Sequence, residues 1–271
     1  MNHTVDTLYK QLEALEVPRD TVVHVHASLR SVGNLEARGG TVLEALIRYF
    51  TETGGLLTLP THTWKNLRDL SQPTLDLASS ETCVGMLPNL AAAHPDARRS
   101  LHPTHSMAVF DGTSEGERAQ AFASLDEGTY TSTHPDGCYG ELYRRGGTII
   151  LLGVEHNRNT YLHCVEEMLD VPNRLSPELI PATIRLRSGE IIPRPIHCHQ
   201  AEGIADVSAR FPKFEPAFRY HGVVRDGQLG DAQVQICDAR GMTEVMELIF
   251  LRAKGRELLA DDTPLDPVLW L

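Results

Sequence analysis

No run of about 18 uninterrupted apolar residues occurs in the chain, so a transmembrane helix is not expected. The first residues, Met1-Asn2-His3-Thr4-Val5-Asp6, have neither the basic stretch nor the apolar core of a signal peptide, and a cytoplasmic protein is expected. Cysteine is sparse. The five present, Cys83, Cys138, Cys164, Cys198 and Cys237, are an odd number without CxxC spacing, which reads as reduced thiols. Basic charge is in deficit: 25 Lys and Arg against 36 Asp and Glu give a net charge of −11, which argues against nucleic acid as a partner and suits a cationic ligand. Three signatures of chemistry are missing as well. There is no GK[ST] phosphate loop, no GxGxxG dinucleotide turn and no GxSxG nucleophile elbow.

What is present is a chain of 271 residues with 41% hydrophobic content, enough for a sizeable core. Leu8, Leu12 and Leu15 set among polar residues predict an amphipathic helix over 4–16. A buried strand follows at 21–26, a helix over 41–52 and a strand at 56–60 introduced by Gly54-Gly55. This alternation is the pattern of a sheet with parallel crossovers. Helices are expected at 85–93, 116–123 and 242–253, and strands at 107–110, 148–152 and 233–237. No internal repeat, low-complexity segment or linker divides the chain. One domain over 1–271 is expected, with irregular excursions near 61–82 and 171–215.

The most informative stretch runs from Leu151 to Glu167. An apolar strand ends at Gly153, and a short helix is predicted to begin at Asn159 or Thr160, residue types that cap helices. On that helix Thr160, His163, Glu166 and Glu167 share one sector, because residues three and four apart are neighbours. A histidine beside carboxylates at the end of a strand has the composition of a general base with its orienting partner. The same pattern also suits a helix terminus whose polar residues only cap and solvate it. Cys164 beside His163 is no thiol–imidazole pair, since adjacent helix positions point about 100° apart.

Three other clusters stand out. His26-Ala27-Ser28-Leu29-Arg30-Ser31-Val32-Gly33 follows a strand directly, and its amides, hydroxyls and arginine suit a phosphorylated ligand or an ordinary polar loop. Arg98 to Ser106 packs two arginines, two histidines and two hydroxyl-bearing serines into nine residues, but Pro103 between His102 and His105 disfavours metal chelation on a helix. His197-Cys198-His199 is expected to be a strand edge with solvent-facing imidazoles.

Taken in order, these segments resemble the aminoglycoside 3-N-acetyltransferase family, also called the antibiotic N-acetyltransferase family. Its V-x-H-x-S-L-x-x-x-G stretch is matched by Val23-His24-Val25-His26-Ala27-Ser28-Leu29-Arg30-Ser31-Val32-Gly33. Its glycine-led strand ending in proline is matched by Gly54 to Thr61, and its R-S-x-H-P-x-x-S block by Arg99 to Ser106. Leu151-Leu152-Gly153 with Thr160-Tyr161-Leu162-His163-Cys164-Val165-Glu166 matches L-L-G and T-x-x-H-x-x-E, and Gly227 to Ala232 matches G-x-x-G-x-A. One departure is the segment Cys138-Tyr139-Gly140-Glu141-Leu142, where the family has S-P-x-G-x-L.

The resemblance implies an α/β fold, a single-domain α/β/α sandwich distinct from the GNAT type, and an acetyl-CoA-dependent N-acetyltransferase. It implies that Ser28, Leu29, Arg30, Ser31, His102 and Ser106 line the CoA side. His163 is then the catalytic base, with Glu166 and Thr160 beside it, and Thr61 and Glu167 fall on the acceptor side. The co-substrate is acetyl-CoA, no metal is expected, and the acceptor is a small-molecule amine, in the family's usual case an aminoglycoside. Direct transfer with base catalysis suits a histidine, whose ordinary pKa is about 6.5. Another amino position, a non-aminoglycoside amine, a CoA-binding member without catalysis and a metal-dependent hydrolase are the alternatives. A homodimer is left open by the sequence.

Overall fold

The computed structural model describes residues 2–271. In chain order the elements are α1 (Val5–Ala14), β1 (Val22–Ala27), α2 (Gly39–Thr51), β2 (Leu56–Pro60), β3 (Leu75–Asp76), α3 (Met86–Ala93), β4 (Arg98–Arg99), β5 (Met107–Phe110), α4 (Glu117–Ala123), α5 (Cys138–Arg144), β6 (Thr148–Leu152), α6 (Tyr161–Met168), β7 (Thr183–Arg185), β8 (Ile191–Pro193), α7 (Glu215–Tyr220), β9 (Val224–Leu229), β10 (Ala232–Asp238) and α8 (Ala239–Ala253). Short 3-10 turns join them, notably Leu29–Val32 after β1 and His156–Arg158 before α6. Among the described residues no helix is long and apolar enough to cross a membrane.

Seven strands form one sheet in the order β4-β5-β2-β1-β6-β10-β9. Only the centre is parallel, β1 pairing with β2 on one side and β6 on the other; β5 and β10 flank this centre antiparallel. The expectation of parallel crossovers therefore holds for three strands, and the edges correct it. Hairpin-like pairs need no crossover helix, and β9 and β10 meet through such a tight turn at Gly230, where the sequence pattern suggests a loop before a single strand. A separate three-stranded sheet, β3-β7-β8, gathers the two irregular excursions.

Strand alternation divides the core into two layers. Val23 and Val25 of β1 pack with Leu57, Leu59, Ile150 and Leu152 beneath α1, α2 and α3. Val22, Leu56, Ile149 and Leu151 face the other way, against α4, α5, α6, α7 and α8. The result is three layers, helices on both faces of a sheet. The even positions of β1 thus send His24 and His26 into the second layer, among α5 and α6, where both are buried. The parallel centre also places the carboxyl ends of β1, β2 and β6 together, the usual site for ligands in such sheets.

Candidate active site

The loops leaving those three strand ends enclose a cleft of about 980 Å³. From β1 come His26 and the turn Ser28, Leu29 and Arg30; from β2, Pro60 and His62; from the β6 loop and α6, Val154, Asn157, Arg158, Thr160 and His163. The two turns lie close. Gly153 has φ +63°, and a Cβ there would sit 2.5 Å from the Ser31 Cβ, so only glycine lets the β6 loop pass the β1 loop.

His163 stands in the first turn of α6. Its Nδ1 donates to Glu166 Oε2 at 3.3 Å, and Glu166, fully buried, receives Arg174 Nε on its other oxygen. With Nδ1 so engaged, Nε2 is the ring nitrogen left for a ligand, and His163 lies on the cleft wall. The side chain is fixed from both sides: the His199 ring stacks on it at 4.0 Å with 25° between planes, and Phe211 meets it edge-on at 4.7 Å.

Further imidazoles extend this wall. His199 contacts His105 at 5.3 Å between centroids, and His105 contacts His62 at 4.5 Å. Burial drives these rings toward the neutral form. It lowers His199 to about 4, with the neighbouring His163 adding to the effect, and holds His62 and His105 well below the usual histidine range. His26, also buried, is lowered to about 3. Behind His199 lies Glu167, which accepts from both the Thr133 amide at 3.1 Å and the Thr133 hydroxyl at 2.7 Å, and from the Thr131 hydroxyl. Burial alone would raise Glu167, but the bonds from His199, Thr131 and Thr133 prevail and lower it. The wall therefore carries neutral rings at His62, His105 and His199, with Glu167 behind His199, and beside them His163 bonded directly to the buried Glu166.

A model of the family described as aminoglycoside 3-N-acetyltransferase matches residues 24–250, most of the chain. The chain belongs to the aminoglycoside 3-N-acetyltransferase family. Aminoglycoside N(3)-acetyltransferase III of Salmonella sp is similar to it at 28% identity over 263 residues, covering 88% of each chain. AAC-IIIb, solved as a binary complex with CoASH, matches with a TM-score of 0.77 at 23% identity over 94% of this chain and 97% of that one. A histidine-to-alanine mutant of aminoglycoside acetyltransferase AAC(3)-IVa in complex with a gentamicin matches with a TM-score of 0.75 at 23% identity, over 100% of this chain and 92% of the other. These structural likenesses establish the fold, and family membership places the chain among acyltransferases.

The segments singled out in the sequence of this aminoglycoside 3-N-acetyltransferase family member divide between the cleft lining and the structure behind it. Ser28, Leu29, Arg30, Thr160 and His163 line the cleft. Ser31, Thr61, His102 and Ser106 do not, which departs from the expected CoA-side and acceptor-side contacts. Each is turned to structural work. Ser31 packs under Gly153. Thr61 alternates with His62 along the chain leaving β2, so it points away from the cleft, where its hydroxyl meets Ser106 Oγ at 2.9 Å and both take Arg99 Nε at 3.2 Å. His102 Nδ1 accepts the amides of Thr104 and His105, so its Nε2–H donates to the Thr131 carbonyl at 2.7 Å, and the ring braces its own loop. Glu167 is turned inward to His199 rather than toward an acceptor.

α6 starts directly after Thr160, as expected, but Thr160 does not cap it through its side chain: its backbone is already helical and its hydroxyl makes no capping bond. Nor are the histidines of 197–199 solvent-facing, since His199 is 16% exposed and stacked on His163, and His197 Nδ1 donates to the Ser176 carbonyl at 2.6 Å. The segment at Cys138, the departure from the family's pattern, is the first turn of α5, and Tyr139 reaches the site through a 2.8 Å hydrogen bond with His62 Nε2. Sequence reasoning also passes over Arg158, exposed on the cleft wall in the very loop it singles out. Among the described residues neither Arg30 nor Arg158 is held in an ion pair, and no three His, Cys, Asp or Glu side chains converge as a metal cage.

Proposed function

We propose that this protein transfers the acetyl group of acetyl-CoA directly to an amino group of an aminoglycoside, with His163 as general base. The observation that carries the reading is the His163–Glu166 pair at the cleft, with Nδ1 bonded to a buried carboxylate at 3.3 Å and the ring on the cleft wall, which leaves Nε2 as the nitrogen available to a substrate. Family membership and the relatives' named ligands, CoASH and a gentamicin, support the two substrates. Arg30 and Arg158, unpaired cations on the cleft wall, suit the phosphates of CoA. Residues 1–271 act as one unit in this reading, in the cytoplasm and with a net charge of −11 that favours a polycationic acceptor.

In the step itself His163 Nε2 takes a proton from the acceptor amine. The nitrogen lone pair forms a C–N bond at the thioester carbonyl carbon while the carbonyl π pair moves to oxygen. Return of that pair breaks the C–S bond, and the CoA thiolate leaves and receives a proton from the imidazolium. One amide and one thiol result, and His163 is neutral again. Glu166 fixes the ring tautomer and balances the transient cation. Base catalysis of this kind contributes roughly 10²–10⁴-fold, and holding both substrates in line contributes up to ~7–11 kcal/mol. The cleft-wall thiols support direct transfer over a covalent relay: burial pushes Cys198 up to about 11 and raises Cys83, so neither is a ready thiolate.

The test is mass analysis of protein and small-molecule products after incubation with acetyl-CoA, with and without a panel of aminoglycosides and simple amines. The expected result is monoacetylated aminoglycoside with one thiol released per product, and unmodified protein in acetyl-CoA alone. Acetylated protein that passes its group to the amine would overturn direct transfer. Acetylation of simple amines only would overturn the acceptor.

A further inference from the structure

Glu166 answers to more than His163. Its second oxygen takes Nε of Arg174, a side chain only 4% exposed that arrives from the segment after α6. The rest of that guanidinium is committed: Nη1 and Nη2 form a fork onto the two oxygens of Glu257, each at 2.9 Å, and Nη1 also donates to the carbonyls of Pro172 and Asn173. Glu257 is fixed in turn by accepting the Leu259 amide at 2.8 Å. Its outer end reaches a second cleft of about 840 Å³, on which the Glu257 side chain is 33% exposed. Four charged or ionisable groups thus stand in line: Glu257, Arg174, Glu166, His163.

We propose that Arg174 and Glu257 are positioning residues that set the basicity and tautomer of His163 through Glu166. The inference rests on the reading of His163 as the base. Charge along the line gives it a sign. With His163 neutral the line carries one net negative charge; with His163 protonated it carries none. Neutralising Glu257 frees the positive charge of Arg174 to act on Glu166, which disfavours the imidazolium. Removing the charge of Arg174 leaves Glu166 to His163 alone, which favours it. The other groups facing His163 are His199 stacked on its ring, Glu167 behind His199, and His105 and His62 beyond; Phe211 closes the remaining side. None of them touches Glu257 among the hydrogen bonds and ion pairs of the described residues, so variants at the far end of the line leave that environment in place.

The experiment follows the His163 ring titration by NMR of protein with isotope-labelled histidine, its signal assigned by loss in His163→Ala, alongside the pH profile of kcat/KM. Glu257→Gln should move both midpoints down by about half a pH unit, and Arg174→Gln should move them up. Arg174→Lys, which keeps the charge and loses the fork, should titrate near the wild type while kcat falls about tenfold with little change in KM. Glu257 sits at the solvent end of the line, so Glu257→Gln is expected to fold and decides the matter where Arg174→Gln does not. A ring titration unmoved in folded Glu257→Gln would overturn the proposal. A wild type that acetylates no amine would remove the base assignment instead, and the ring titration would still read the coupling.

Discussion

Both oxygens of Glu166 are engaged inside the protein, one by His163 and one by Arg174, and the side chain is 1% exposed. A carboxylate so enclosed holds one imidazole tautomer and no other. Glu166→Gln keeps the volume but offers an amide that can present N–H to Nδ1, and kcat is expected to fall about 100-fold with the CoA dissociation constant within a factor of two. A kcat within threefold of wild type would contradict the role. His199 belongs to the same account. Truncation to alanine removes the ring stacked 4.0 Å from His163 and leaves Glu167 with one fewer donor, so kcat is expected to drop roughly tenfold, with little change in the melting temperature of a folded variant. The helical sector of His163 and Glu166 was legible in the sequence because i,i+3 spacing fixes neighbours on a helix. His199 was not, since it comes from irregular chain some 30 residues on, and only tertiary folding brings such a ring to the site.

Among the elements, the strands were legible where burial is complete. β2, β5 and β6 are short apolar runs bounded by glycine or polar residues, and their limits follow the sequence pattern. α5 was hidden by its composition. Gly140 lies inside it, an unfavourable helix residue, yet a Cβ there would fall 1.6 Å from the Pro135 carbonyl oxygen, so close packing on the preceding turn requires glycine. Gly140→Ala is expected to destabilise the protein by about 1–3 kcal/mol in urea unfolding and, by shifting Tyr139 from His62, to lower activity. Unchanged stability would contradict the packing seen here. The second sheet was beyond sequence reading altogether: β3 has two residues, and it pairs with β7 more than 100 positions later.

The whole molecule carries a heavy load of enclosed imidazole. The buried His24, His26 and His62 and the partly buried His105 and His199 all lie below the ordinary value of 6.5, with His26 at about 3 and His199 at about 4, desolvation being the first cause in each. These rings bind protons more readily unfolded than folded. Their contribution to stability is therefore complete above about pH 6.5 and declines as pH falls from there toward 4 and below, by about 1.4 kcal/mol per pH unit for each ring. Urea unfolding across pH 7.5 to 4.5 should show a steep fall beginning near pH 6.5. A flat profile over that range would contradict the burial of these rings. The three-layer architecture and the family were legible in the order of short blocks along the chain. The division of labour within those blocks was not, because whether Ser106 or His102 faces a cleft or a neighbouring loop depends on contacts between segments.

The central claim is that His163 removes the proton of the acceptor amine. Its most direct test is steady-state acetyl transfer by His163→Ala, using an aminoglycoside the wild type accepts, with CoA affinity measured on the same preparation. The account predicts a kcat lower by at least roughly 10²-fold with CoA binding preserved. Turnover near the wild-type rate would contradict it.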